Sequence, residues 1–157
     1  AYEKTTKTPV TSADIGWSSV PVSLPLSPRL NEKDLVEKLK SSAAKGYDSF
    51  ADQIAWVRRV QSGHRIDITC LRVGDARMLH LPGELFVEYG LRLKADSPSP
   101  WTWPVELGGD YIGYLVTPEA ERAVGYESLN CWVSRTGPEG VGQLMDGSLD
   151  LLRPLWT

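Results

Sequence analysis

The stretch RIDITCLRVGDARMLHLPGELFVEYG, which spans residues 65–90, carries the clearest structural pattern in the chain. In its first part, apolar residues such as Ile66 and Ile68 alternate with polar ones, as they do in a strand with one buried face. Gly74-Asp75 is typical of a two-residue turn, and a second run of apolar residues follows it. The sequence therefore predicts a β-hairpin whose apolar side chains face a core.

The second part of this stretch predicts a helix. Pro82-Gly83 ends the second strand of the hairpin, and apolar residues then recur at helical spacing over residues 84–95. Glu84 would lie in the first helical turn, where a carboxylate is stabilised by roughly 0.3–1 kcal/mol through the helix dipole. The carboxylate of Glu84 serves either this structural purpose or the binding of a ligand.

Strands and helices alternate on both sides of this stretch. Residues 17–27 predict an edge strand or an extended arm, because the two prolines within this run cannot donate to a sheet ladder. Asn31 is suited to cap a helix that ends at Gly46, and a second helix is predicted from Ser49 to Gln61. The elements predicted downstream are short strands over 101–107 and 111–116, a short helix from Thr117-Pro118 to Gly125, and a C-terminal helix over 141–152.

Together these elements predict an α/β fold, in which a mixed sheet with a β-hairpin is flanked by helices in one layered domain. The 157 residues suffice for one core, and no internal boundary is found within residues 1–157. A net charge of −3 argues against a nucleic-acid-binding protein. The sequence has no apolar run of about 18 residues, so no transmembrane segment is predicted. The chain begins without an initiator methionine or a signal-peptide pattern, as a segment from within a longer protein would.

Common catalytic and metal-binding motifs are not found in the sequence. It contains no glycine-rich phosphate loop and no Gly-x-Ser-x-Gly motif. His64 and His80 lie on different predicted elements, so they cannot form the closely spaced pair of a zinc protease. Neither Cys70 nor Cys131 belongs to a zinc-binding motif. A lone strand histidine is more often structural than a ligand, and we interpret His80 in this way.

Two segments, LPGELFVEYGLRLK (81–94) and GGDYIGYLVTPEAERAVGYES (108–128), resemble the back half of the catalytic domain of the neutral/alkaline non-lysosomal ceramidases. The shared features are a strand ending in Pro-Gly-Glu, a helix, a Tyr-x-x-Tyr segment that leads to a threonine, a short acidic helix and a Tyr-Glu pair. Each feature alone has moderate specificity, whereas their order and spacing together are specific. Upstream of residue 79 the agreement is looser but has the same layout.

The resemblance implies a zinc site. In that family, zinc is bound by two histidines, a glutamate and a tyrosine, and the last two correspond here to Glu84 and Tyr114. A further tyrosine of the family points at the scissile amide, and Tyr126 corresponds to it. We therefore expect Glu84 and Tyr114 to share one cleft as metal ligands, and Tyr126 to be catalytic. The residues expected to line a substrate groove on an exposed face are Trp101, Trp103 and Tyr111.

The histidine ligands of the family, its catalytic serine and a nearby arginine lie upstream of the part that this chain resembles. The chain is therefore expected to be the C-terminal part of a larger ceramidase-like catalytic domain, with the missing N-terminal part as its partner. Alone, it should be inactive and bind zinc weakly. The resemblance implies hydrolysis of N-acylsphingosine or a related N-acyl lipid amide, and an extracytoplasmic or secreted location.

Two departures from the better-known ceramidases bear on the substrate. The helix reads EYGLRLK where those enzymes have Gly-Arg-Arg, and GGDYIGY replaces an approach to the tyrosines that contains asparagine. The substrate therefore need not be ceramide itself. The alternative function is a non-catalytic binding or scaffold domain that retains the ceramidase-like fold.

Overall fold

The computed structural model describes residues 2–42, 49–129 and 134–153. Over these residues the chain forms, in order, β1 (Ile15–Val22), α1 (Glu32–Ser42), α2 (Ser49–Gln61), β2 (Ile66–Val73), β3 (Ala76–His80), β4 (Glu84–Leu85), α3 (Val87–Asp96), β5 (Trp101–Val105), β6 (Tyr114–Leu115), α4 (Pro118–Ala123), α5 (Tyr126–Leu129) and α6 (Pro138–Leu152). Asn31 caps α1 as predicted, because its Oδ1 accepts the backbone N–H of Lys33 at 3.0 Å. The predicted end of that helix at Gly46 lies outside the described residues.

The hairpin forms as its alternation predicts. Strands β2 and β3 pair antiparallel, and Gly74 in the turn between them has a φ of 57°, in the left-handed region that such turns require. Inward-facing side chains of the hairpin, including Ile68 and Cys70, are fully buried. The apolar face of the hairpin therefore belongs to the core.

A four-stranded mixed sheet has the order β1-β2-β3-β5. Strand β2 pairs antiparallel with both β1 and β3, whereas β5 runs parallel to β3 and follows α3 in the chain. Strand β1 lies at an edge, which is one of the two arrangements that the prolines of its segment predict, and Pro21 pairs there with Asp67. An edge strand tolerates proline because its outward side has no neighbouring strand, so no hydrogen bond within the sheet is lost when the N–H is missing.

Helices α3 and α6 pack against the rest of the domain on one side of this sheet, called here the inner face. Helix α6 approaches β1 and β2 closely, since a Cβ added at Gly147 would lie 3.0 Å from Val22 Cγ2. Buried side chains of the strands and helices form one apolar cluster. Within the described part of the chain, no helix has both the length and the apolar character needed to cross a membrane.

The opposite side of the sheet, called here the outer face, is exposed along both edge strands. The strand register aligns Trp17 with Leu71, Leu71 with Met78, and Met78 with Trp103, so that these four side chains form one row. Trp101 lies two residues before Trp103 on the same face, and Trp17 and Trp101 are each 60% exposed. The described helices thus leave an apolar sheet surface in contact with solvent.

The Pro-Gly bend after the hairpin does not start a helix. Glu84 lies in the two-residue strand β4, which pairs parallel with β6, and α3 begins only at Val87. The backbone N–H of Glu84 donates to the carbonyl of Gly113 at 3.0 Å. The predicted helix start at Glu84 is therefore wrong, because a segment distant in the chain draws this backbone into strand pairing. The strand predicted over 111–116 is shorter than expected and comprises only the two residues of β6.

Candidate functional site

The pairing of β4 with β6 brings Glu84 beside Tyr114. The two residues are direct partners in the parallel pair, and both side chains are half-buried. On the other side of β6, the hydroxyl of Ser134 donates to the carbonyl of Tyr114 at 3.0 Å, and Gly113 forms a bridge with Ser134. The backbone that carries Tyr114 is therefore held from both sides, next to the carboxylate.

Tyr111 contacts the same carboxylate directly. Its hydroxyl donates a hydrogen bond to Glu84 Oε1 at 2.8 Å. Its backbone carbonyl accepts a hydrogen bond from Arg135 Nη1 at 3.2 Å, and the next residue, Ile112, donates its N–H to the carbonyl of Pro82 at 2.8 Å. Tyr111 thus belongs to one cluster with the two predicted metal ligands. Its predicted role in a substrate groove stays a prediction.

Tyr126 lies next to this cluster at the start of α5. Its ring centroid is 6.2 Å from that of Tyr114 with the planes at 77°, a T-shaped arrangement that aromatic pairs favour. The preceding helix α4 is capped by Thr117, whose Oγ1 accepts the N–H of Ala120 at 3.2 Å, and ends at Val124 with a φ of 56°. This short helix and turn carry the chain back to the site. Tyr126 is 56% exposed, so its hydroxyl is accessible from solvent.

The Glu84 carboxylate governs the electrostatics of the cluster. The pKa of Tyr111 is raised, first by its hydrogen bond to Glu84 and then by desolvation. The pKa of Tyr114 is also raised, again first by the carboxylate of Glu84 as an acceptor and then by desolvation. Ionisation of Tyr111 would remove a proton donor to the carboxylate, and ionisation of either phenol would create a second negative charge beside it. A cation bound between these oxygens would reverse this effect.

The two predicted groove tryptophans lie in β5 of the four-stranded sheet, whereas Glu84 and Tyr114 lie in the separate β4–β6 pair. Strand β5 begins at Trp101 and ends at Val105, whose carbonyl accepts the N–H of Leu81 near the bend that leads to Glu84. At about 3.3 Å per residue, Trp101 lies about 13 Å along the strand from Val105. Trp103 is 48% exposed, so both tryptophans have side chains in contact with solvent. Their role in binding substrate stays a prediction.

Charged residues that the sequence did not indicate support the loop before Tyr111. Asp110 Oδ2 lies 3.3 Å from Nε2 of His64, which follows the C-terminal end of α2. Arg135, which bonds to the carbonyl of Tyr111, places its guanidinium carbon 5.5 Å from the ring centroid of Trp56. Asp110 and Arg135 are single charged residues in loops without periodicity, so no sequence signal could have indicated which residues they contact.

The fold as a whole is similar to that of a solved enzyme structure. The crystal structure of neutral ceramidase from Pseudomonas aeruginosa matches 88% of this chain with a TM-score of 0.54 and 18% sequence identity. The chain has a neutral ceramidase-like fold. A second structure, of a ceramidase complexed with C2, matches 56% of the chain with a TM-score of 0.49 and 22% identity. The chain spans 28% and 14% of the lengths of these two proteins, respectively. No protein-family profile and no curated protein sequence matches it.

The side-chain oxygens of this cluster could supply some of the ligands that a zinc ion needs. Glu84 and Tyr114 offer a carboxylate and a phenol side by side, and zinc accepts oxygen ligands at about 2.0–2.2 Å. Among residues 2–42, 49–129 and 134–153, no group of three or more histidines, cysteines, aspartates or glutamates could hold a metal ion. His80 instead contacts Thr69 Oγ1 at 3.2 Å on the outer face. The donors therefore match two of the four ligands that the resemblance implies.

Proposed function

We propose that this chain is part of a zinc-dependent amide hydrolase that acts on N-acylsphingosine or a related N-acyl lipid amide. The observation that carries the proposal is the cluster of Glu84, Tyr111, Tyr114 and Tyr126 at the junction of β4 with β6. A carboxylate beside phenols, half-open to solvent, suits a metal-assisted attack on an amide. The neutral ceramidase-like fold supports the choice of substrate class.

In this proposal Glu84 and Tyr114 hold the zinc ion. When bound, zinc supplies Lewis acidity, which polarises a carbonyl and lowers the pKa of water to about 7. The positive charge would also lower the pKa of the Tyr114 phenol, which the carboxylate otherwise raises. The pairing of β4 with β6 holds the backbones of these two residues side by side before any metal binds, which lowers the cost of organising the site.

Tyr126 acts in this proposal as a hydrogen-bond donor to the oxygen on which negative charge develops. Its ring rests against that of Tyr114 while its hydroxyl remains accessible, so it can face a substrate bound at the metal ligands. A preorganised donor of this kind stabilises the transition state more than the ground state. Its loss typically costs on the order of 10²–10³ in kcat.

The remaining parts of the catalytic site would come from a further part of the same protein. We propose that this part supplies the two histidine ligands and covers the outer face of the sheet. The exposed row that contains Trp17 and Trp103 supports this idea, because large contiguous apolar patches usually mark an interaction surface. Residues 1–157 would then be the C-terminal part of a catalytic domain and inactive on their own.

The test is an assay of the full-length protein that contains this chain, with fatty-acid release from N-acylsphingosine and bound zinc as the two readouts. Glu84→Gln should lose both zinc and hydrolysis, while Tyr126→Phe should keep zinc and lose about 10²–10³ in kcat. Glu139→Gln is the matched control, because this glutamate is exposed at the start of α6. It should behave like the unaltered protein.

Hydrolysis that survives Glu84→Gln would contradict the proposal. A full-length protein that binds the lipid amide without cleaving it, whether or not zinc is supplied, would instead establish the scaffold alternative.

A further inference from the structure

In the proposed function, Glu84 and Tyr114 are metal ligands and Tyr126 is a hydrogen-bond donor to the substrate. Tyr111, the fourth member of the cluster, has neither role. We infer that Tyr111 is a positioning residue, whose hydroxyl holds Oε1 of Glu84 and so leaves the second carboxylate oxygen free for the metal. This inference rests on the proposed function, in which Glu84 is a metal ligand. The hydrogen bond of 2.8 Å that joins the two side chains carries it.

A partly exposed glutamate needs such a restraint to act as a ligand. Its side chain has several rotatable bonds, and it loses much conformational freedom when it is confined to one arrangement. A hydrogen bond from a neighbouring phenol selects one orientation of the carboxylate before the metal binds. Residues that hydrogen-bond to metal ligands in this way typically contribute 10–100-fold to metal affinity or activity.

The backbones that carry Glu84 and Tyr111 are tied together, so their side chains meet reproducibly. Two hydrogen bonds join the segments, from Ile112 N–H to the carbonyl of Pro82 at 2.8 Å and from Glu84 N–H to the carbonyl of Gly113 at 3.0 Å. The side chain of Arg135 holds the carbonyl of Tyr111 from the far side. The tyrosine therefore has a fixed base from which to orient the carboxylate.

The two tyrosines of the Tyr-x-x-Tyr segment thus have different roles. Tyr114 is paired directly with Glu84 across the two short strands, which places it beside the same metal position. Tyr111 precedes the strand and reaches Glu84 only through its hydroxyl. The first phenol orients the carboxylate, and the second shares the metal with it.

The experiment is a zinc titration of the full-length protein that contains this chain, in which bound zinc is measured at increasing concentrations of free zinc. We expect Tyr111→Phe to weaken zinc binding by about 10-fold or more. Tyr89→Phe is the matched control, because it also removes a phenol hydroxyl that hydrogen-bonds within the domain, at 3.1 Å to the carbonyl of Val116, but away from Glu84. It should leave zinc affinity unchanged.

A second comparison separates positioning from a general structural effect. If Tyr111 acts through the carboxylate, Tyr111→Phe should weaken zinc binding, while its free energy of unfolding without zinc should fall no further than that of Tyr89→Phe, which also loses one phenol hydrogen bond. Equal zinc affinity of Tyr111→Phe and the unaltered chain, with Glu84→Gln strongly impaired, would overturn the positioning role and leave the proposed function intact. Zinc binding by the full-length protein that is indifferent to Glu84→Gln would overturn both.

Discussion

Replacement of Gly83 by alanine tests whether the bend before Glu84 must press against the loop that carries the tyrosines. A Cβ at this position would lie 2.4 Å from the carbonyl oxygen of Gly113, closer than real contacts allow, so one backbone must retreat by more than half an ångström. That displacement would stretch the 3.0 Å hydrogen bond between Glu84 N–H and the same carbonyl beyond useful range.

The expected cost of Gly83→Ala follows from these contacts. Overpacking costs about 1–3 kcal/mol and a lost hydrogen bond about 1 kcal/mol, while the reduced freedom of the unfolded chain returns about 0.4–1 kcal/mol. We therefore expect the free energy of unfolding to fall by about 1–3.5 kcal/mol. Urea denaturation followed by tryptophan fluorescence measures this change, since the chain has six tryptophans.

The matched control is Gly142→Ala, in the interior of α6. A Cβ there would meet nothing within 4 Å, and alanine favours a helix over glycine by about 0.5–1 kcal/mol. The same type of substitution should therefore stabilise the protein at one position and destabilise it at the other. A stability for Gly83→Ala within about 0.5 kcal/mol of the unaltered chain would refute the close approach of these two backbones.

Three further predictions concern the site and its support. Glu84→Gln should lower the pKa values of Tyr111 and Tyr114 toward the ordinary value of 10.0, because the carboxylate raises both, and alkaline titration of tyrosinate absorbance measures the shift. Thr117→Ala should cost about 1 kcal/mol in urea denaturation by removing the cap of α4, whereas Thr117→Ser should cost less. The pKa of Tyr89 is raised, mainly by desolvation, so the unfolded chain releases this proton first and stability falls as the pH rises above 10.0. Tyr89→Phe should make that alkaline decline shallower, and an equally steep decline would contradict the assignment.

Local signals in the sequence determined the elements whose causes lie within a few residues. Asn31 predicts the start of α1 because its own side chain caps the backbone amides that follow it. Gly74 predicts the hairpin because a turn of this kind requires a left-handed residue there. The same holds for Thr117 at α4, and for α2, which spans Ser49–Gln61 as predicted. For each of these, the deciding hydrogen bonds and side chains are neighbours in the chain.

Only the tertiary structure decided the environment of Glu84. A Pro-Gly bend followed by apolar residues at helical spacing is compatible with a helix that starts at once, and nothing local distinguishes this from a two-residue strand. Two partners distant in the chain decide it. The carbonyl of Gly113 accepts a hydrogen bond from the backbone N–H of Glu84, and the hydroxyl of Tyr111 donates one to its carboxylate. The family resemblance indicated that Glu84 and Tyr114 belong together, but the hydrogen bond to Tyr111 depends on the register of two strands too short to show any periodicity. Such a register is set by packing between segments far apart in the chain, and therefore cannot be deduced from either segment alone.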